Sequence, residues 1–178
     1  MSSNYERISE ERGWLEKLIG RIPGYKGYKE KEMRREADRL LRESLARDLT
    51  LQLNRLAPMQ TTLLEQGGID WMDDMGAVKT SLQTLIDRVR HAAQGYAGFF
   101  DAVRVKEDDL DRLEQFDQQL VAEVDRISAS FDALEGAIAS GAEIKSSIAA
   151  SRRLIQGIND LFSKRSSVIS GQESGVRS

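Results

Sequence analysis

The chain is organised around two stretches, MGAVKTSLQTLIDRVRHAAQGYAGFFDAV (residues 75–103) and LDRLEQFDQQLVAEVDRISASFDALEGAI (residues 110–138). In both, apolar residues recur at alternating intervals of three and four, the seam spacing of helices that pack side by side at a shallow angle. A third run with this spacing lies between residues 144 and 162, after a Ser140-Gly141 turn short enough to favour an antiparallel hairpin. The seam positions of the first two stretches are Met75, Val78, Leu82, Leu85, Val89, Ala92, Tyr96, Phe99, Val103, then Leu110, Leu113, Asp117, Leu120, Val124, Ile127, Phe131, Leu134 and Ile138.

One seam position carries a charge. Asp117 falls between Leu113 and Leu120, where a carboxylate would be buried, at a high cost in free energy unless it is paired. We therefore predict a local slip in the pattern, in which the neighbouring Phe116 turns inward instead of Asp117.

Turn and capping residues divide the rest of the chain into segments. Ser3 and Glu6 form a capping box for an amphipathic N-terminal helix, and Asp70 is expected to cap a later helix. We predict an all-α protein, an elongated bundle of about five helices with coiled-coil-like antiparallel hairpins, in a single helical domain over residues 1–163. The predicted segments are a helix at 4–20, a Pro/Gly/Tyr connector at 21–28, helices at 29–66, 71–100, 108–139 and 142–162, and a disordered tail at 164–178.

Composition narrows the class of protein. The 178 residues are 40% hydrophobic and 31% charged, with a net charge of -3 and two prolines. A dedicated nucleic-acid binder would usually be clearly basic, so we expect no nucleic acid as partner. The absence of cysteine excludes disulfides and thiolate chemistry. No apolar stretch approaches the roughly 20 residues of a membrane span, and no secretory signal is evident, so a cytoplasmic location is expected.

Charge is distributed unevenly along the chain. Residues 106–139 carry ten Asp/Glu against three Lys/Arg, whereas residues 1–50 are mixed and slightly basic. Such asymmetry could bring the acidic helix against a basic partner, or align two copies of the chain. A solvated helix face explains the same acidic residues without any partner.

Motifs for catalysis or metal binding are not found in the sequence. The sole histidine, His91, is preceded at the third position by Arg88, so the Glu-x-x-His motif of di-iron bundles is missing. The acidic clusters do not match a calcium loop and suit helix N-termini instead. No phosphate-binding glycine loop is present. We predict no enzyme activity, no metal and no cofactor.

The N-terminal third is the sharpest candidate for an interaction surface. Aromatic and basic residues alternate there, and five acids dilute the basic character. An amphipathic helix followed by such a loop could bind an anionic membrane surface, or could pack on the bundle with its lysines in water. The candidate surface comprises Trp14, Lys17, Arg21, Tyr25, Lys26, Tyr28, Lys29 and Lys31.

Two segments resemble known proteins: IPGYKGYKEKEMRREADRLLRE (residues 22–43) and GYAGFFDAVRVKEDDLDRLEQFD (residues 95–117). They resemble a group of uncharacterised all-helical bacterial proteins, which implies an intracellular helical protein and supplies no activity or site residue. The order of an amphipathic N-terminal helix before long charged hairpins also looks like that of phage-shock protein A and its ESCRT-III-like relatives.

Together these features predict a non-enzymatic helical module for interaction or scaffolding, whose partner is a protein, either another chain or a second copy of this one. The alternative is a peripheral membrane protein at the inner face of the membrane that docks through residues 4–31. An enzyme with an unrecognised site ranks third.

Overall fold

The computed structural model describes residues 31–92 and 107–170, and this part of the chain is all helical. It contains four α-helices, and no strand occurs within these two ranges. They are α1 (Lys31–Glu65), α2 (Met72–His91), α3 (Glu107–Ser140) and α4 (Ile144–Ser170), with a 3-10 turn at Ile69–Trp71. The predicted all-α class is confirmed for these residues. None of the described helices combines the length and hydropathy that a membrane crossing requires.

The helix bounds that fall within the described residues lie within two residues of the predicted positions, except at the end of α4. The predicted end of a helix at residue 100 lies outside the described residues. The last helix was expected to end at residue 162, but α4 continues to Ser170. Arg165, Val168 and Ile169 are buried there, so the prediction of disorder from residue 164 is wrong for residues 164–170. The Ser-rich composition suggested a tail, but the three-four spacing of Phe162, Arg165 and Ile169 continues the seam. The segments predicted at 4–20 and 21–28, and residues 93–106 and 171–178, lie outside the described residues.

The four helices form two antiparallel hairpins, α1–α2 and α3–α4. Arg165 of α4 contacts Asp38 near the start of α1 and Asp117 near the start of α3. Arg55, in the second half of α1, reaches residues near the end of α3. The helix α1 therefore runs parallel to α3, and α2 runs parallel to α4. Each helix packs against two neighbours, so α1 lies between α2 and α3, and α4 also lies between α2 and α3.

The core contains the described seam residues of α2 and α3, together with apolar residues of α1 and α4. Every seam residue of α2 from Met75 to Val89 is buried, and so is every one of α3 from Leu113 to Ile138. Leu120, Ile127 and Leu134 are each at most 1% exposed. Apolar burial of this kind contributes about 25 cal/mol per Å², which makes the shared interior the main source of stability. Pro58 lies inside α1, and the helix continues through it to Glu65.

Both hairpin turns are at the same end of the bundle, which we call the turn end, and both are built in the same way. Gly67 and Gly141 have positive φ angles of 80° and 69°. The amide of the residue after each glycine donates to a carbonyl five residues back, from Gly68 to Leu63 and from Ala142 to Ala137. These are Schellman motifs, in which a left-handed residue ends the helix and satisfies its last carbonyls. Asp70 is exposed within the 3-10 turn, and α2 starts without a side-chain cap, so the prediction that Asp70 caps it is wrong.

Replacing glycine by alanine should have opposite effects on stability at two positions, one inside α3 and one in the turn that follows it. Gly136 lies inside the helix with open space around the position of an added Cβ. Alanine should therefore stabilise the protein by up to about 1 kcal/mol, because it removes the helix penalty of glycine. The variant Gly141→Ala should instead destabilise it by about 1 kcal/mol, since an L residue is strained at positive φ. Urea denaturation of both variants measures the difference, and a loss of stability in Gly136→Ala would contradict the packing described.

Candidate functional site

Four charged side chains form a buried layer across the bundle, near the end opposite the turns. We call Asp38, Arg42, Asp117 and Arg165 the ionic layer. Arg165 is 0% exposed, and its Nε lies 2.5 Å from Oδ1 of Asp117 while its Nη2 lies 2.9 Å from Oδ1 of Asp38. Asp38 also accepts a hydrogen bond of 2.8 Å from Nε of Arg42, one turn along α1. Two carboxylates and two guanidinium groups therefore share one buried layer without net charge.

The ionic layer involves all four helices. Asp38 and Arg42 come from α1, Asp117 from α3 and Arg165 from α4. The Nη1 of Arg42 donates to the main-chain carbonyl of Arg90 at the end of α2, over 3.4 Å. Asp117 does occupy its seam position, and Phe116 is only half-buried, so the predicted inward turn of Phe116 is wrong. The cost of burying Asp117 is offset by Arg165, a partner 48 residues further along the chain.

The chemistry available to this layer is limited by its burial. Each carboxylate is already paired with a guanidinium, and none of the four residues exposes more than 8% of its surface. A catalytic acid or base must reach a substrate within hydrogen-bonding distance, and these groups face one another instead. The ionic layer therefore acts on the alignment of the helices.

Two further arginines tie the hairpins together. Arg55 of α1 donates to Asp132 and Glu135 of α3, both over 2.7 Å. Burial by itself lowers the pKa of Arg55, but its hydrogen bonds to Glu135 and Asp132 outweigh this effect and raise that pKa above its ordinary value. Part of the acidic face predicted on α3 is therefore engaged within the chain.

Arg88 makes the corresponding link between α2 and α4. It donates to the side chain of Asn159 and, over 3.0 Å, to the hydroxyl of Ser163. Its guanidinium also lies 5.9 Å from the centre of the Phe162 ring, within the range of a cation–π contact. Each parallel helix pair thus has its own arginine contact.

Apolar side chains are exposed at the turn end. Ile69 is 68% exposed and Leu64 is 51% exposed, and Leu51 on the side of α1 is the third large exposed apolar residue of the described ranges. Trp71, two residues after Ile69, lines a shallow depression of about 530 Å³ together with Ile144 and several small or charged residues. We call Leu64, Ile69, Trp71 and Ile144 the turn-end surface. The sequence does not reveal this surface, because the sequence of an apolar residue that is exposed in a turn does not differ from that of one that packs on the core.

Charges of both signs surround the turn-end surface. Glu65 and Asp70, next to Leu64 and Ile69, are exposed acids on the α1–α2 turn. Lys145 and Arg153 are exposed bases that line the depression on the α4 side. Glu143, also at its edge, has a φ of 59°, an unusual backbone conformation for a residue other than glycine. The turn end thus has two acids on the α1–α2 side, and two bases with one acid, Glu143, around the depression.

The site residues predicted from the sequence lie almost entirely outside the described part of the chain. Trp14, Lys17, Arg21, Tyr25, Lys26, Tyr28 and Lys29 all precede it, and Lys31 is the first residue of α1. His91 is exposed at the end of α2, and its Nδ1 lies 2.7 Å from the carbonyl oxygen of Asp87. Within residues 31–92 and 107–170, no group of three or more potential ligands is placed to hold a metal ion.

Comparison with known proteins identifies no relative. No protein-family model matches the sequence, and neither a curated protein nor a solved structure matches the chain. The resemblance of residues 22–43 and 95–117 to uncharacterised helical proteins stays a prediction. The surfaces and contacts of the bundle itself are what remains to support a function.

Arg165→Met tests the role of the ionic layer. It should lower the free energy of unfolding by about 3–5 kcal/mol, because Asp117 is left as a buried carboxylate without Arg165. Adding Asp117→Leu should recover much of that loss, since it restores an apolar seam and leaves the Asp38–Arg42 pair intact. Chemical denaturation of the single and double variants measures the coupling. Additive losses in the double variant would show that the two residues do not act as a pair.

Proposed function

We propose that this protein is a non-enzymatic helical module that binds a protein partner through its turn-end surface. The observation that supports this proposal is the exposure of Ile69 and Leu64 at the same end of the bundle as the depression lined by Trp71 and Ile144. Scattered apolar residues are normal on protein surfaces, but contiguous apolar surface with a polar rim is typical of interaction sites. Aromatic residues such as Trp71 are also enriched at the centres of interfaces.

The charged groups of the interior support an interaction role over catalysis. Among the described residues, the buried carboxylates are those of Asp38 and Asp117, and both are paired with Arg165. The depression at the turn end is shallow and has its charges at the rim, whereas an enzyme site brings a few polar groups together inside a deep pocket. A rigid bundle with exposed side chains at one end suits recognition of another surface.

We also propose a fifth helix, coiled-coil-like packing of the hairpins and a cytoplasmic location. The fifth helix of the bundle would be the segment 4–20, whose capping box and apolar stripe support it. The three-four spacing of the buried residues supports coiled-coil-like packing of the hairpins. A cytoplasmic location in a bacterial cell accords with the composition and with the two segments that resemble bacterial helical proteins.

Affinity capture from an extract of the source cells tests the interaction. The full chain and the control Leu51→Glu should retain the same partner, whereas Ile69→Glu should lose most of it, because a carboxylate would then be desolvated at the contact. Leu51 is a matched control, since it is 58% exposed but lies on the side of α1, away from the turns. Equal recovery by Ile69→Glu and by the unaltered chain would contradict the proposed surface.

Membrane docking through residues 4–31 is the second candidate. In its favour, the segment joins α1 at Lys31, at the end of the bundle opposite the turns, and its aromatic and basic residues are of the types that bind anionic membrane surfaces. Sedimentation with anionic vesicles at low salt should show binding that falls when Lys26→Glu and Lys29→Glu are combined, and that is unchanged in Lys79→Glu. Absence of binding by the unaltered chain at low salt would remove this candidate.

A further inference from the structure

We infer that the partner of the turn-end surface is a second copy of this chain, joined end to end about a two-fold axis. This inference rests on the proposed function and adds the identity of the partner. It follows from the shape and the charges of the turn end, which are complementary to themselves.

The shape of the turn end offers both a projection and a recess. Ile69 is the most exposed large apolar residue of the described ranges, at 68%, and it begins the short 3-10 turn that Trp71 ends. The neighbouring depression of about 530 Å³ has the half-buried Trp71 and Ile144 in its lining. In a two-fold arrangement, Ile69 of each copy enters the depression of the other, so the same apolar contact forms twice.

The charges are arranged for the same pairing. Glu65 and Asp70 are on the α1–α2 turn next to the projection. Lys145, Arg153 and Glu143 border the depression, where the two bases outnumber the one acid, and Glu143 accepts a hydrogen bond from Ser146. When Ile69 of one copy occupies the depression of the other, the acidic turn meets the basic rim at both symmetry-related positions. Opposite charges at the rim favour the correct encounter and orientation, while the apolar centre supplies most of the affinity.

The position of the turn end favours this contact as well. The two described ranges begin at residues 31 and 107 and end at residues 92 and 170. All four positions lie at the end of the bundle opposite the turns. Within the described residues, the connections at the turn end are the two short Schellman turns and the 3-10 turn, none of which is a long loop. Two bundles can therefore approach end to end without rearranging a connection. Because the end face of one bundle is small, we expect an affinity in the micromolar range, typical of interfaces at the low end of size.

Sedimentation velocity on the purified full chain, from about 1 µM to about 500 µM, tests this inference. The mass should rise from that of one chain toward that of two. Ile69→Glu should weaken dimerisation by about tenfold or more, because it places a charge in an apolar contact. Leu51→Glu should leave the dissociation constant unchanged. Circular dichroism and thermal melting establish that each variant is folded.

Charge reversal distinguishes a two-fold contact from other modes of association. The variant with Glu65→Lys and Asp70→Lys should be monomeric, and so should the variant with Lys145→Glu and Arg153→Glu, because like charges then meet at both positions. Mixing the two should restore a heterodimer, since each acidic group again faces a base. All four residues are exposed, so these changes spare the core.

Three results would overturn the inference. They are a monomer across the whole concentration range, a dimer that Ile69→Glu does not weaken, and failure of the two charge-reversed variants to associate. A monomeric chain whose captured partner is nevertheless lost with Ile69→Glu would retain the proposed function and assign the turn-end surface to a different protein.

Discussion

The buried contact between Arg165 and the carboxylates of Asp117 and Asp38 is the constraint on which the arrangement of the helices depends. Apolar side chains supply most of the stability, but a ladder of leucine, valine and isoleucine looks similar after a shift of one heptad. Such a shift of α4 along α3 would place Arg165 opposite Val124 or Leu110, apolar residues of the seam, instead of Asp117. A buried charge without a partner costs several kcal/mol, which is enough to favour one register over the others.

The two ends of the bundle therefore differ in structure and in proposed role. Near one end, the ionic layer joins α1, α3 and α4 and also contacts the last carbonyls of α2. At the other end, two glycine-terminated turns hold exposed apolar and charged side chains in a fixed arrangement. Arg55 and Arg88 link the hairpins between these ends. In the proposed interaction, helices held together in this way would present the turn-end surface with little loss of conformational entropy, which favours association by a small contact area.

The sequence was sufficient to predict the seams, and insufficient to predict what interrupts them. The spacing of Leu120, Val124 and Ile127 identified buried positions because helical periodicity is a local property of the chain. Asp117 can be buried because it pairs with Arg165, 48 residues away along the chain. Arg165 also pairs with Asp38, which is 127 residues from it. No local sequence pattern identifies a partner at that distance. Burial of Phe116 was therefore predicted to cost less free energy than burial of Asp117. The end of α4 was different, because the seam spacing through Arg165 and Ile169 was present and its Ser-rich surroundings obscured it. Exposure of Ile69 could not be foreseen, since it depends on how the turn lies on the finished bundle.

Hydrogen exchange at the Arg165 side chain tests whether Arg165 is buried and paired with Asp117. In the arrangement described, its Nε–H is fully buried and bound to Asp117, whereas the side chain of Arg126 on α3 is 68% exposed. Nitrogen-15 NMR of the two guanidinium groups should therefore show exchange at Arg165 slowed by roughly two orders of magnitude or more relative to Arg126. Equal exchange rates for the two arginines would contradict the ionic layer, and with it the register of the four helices.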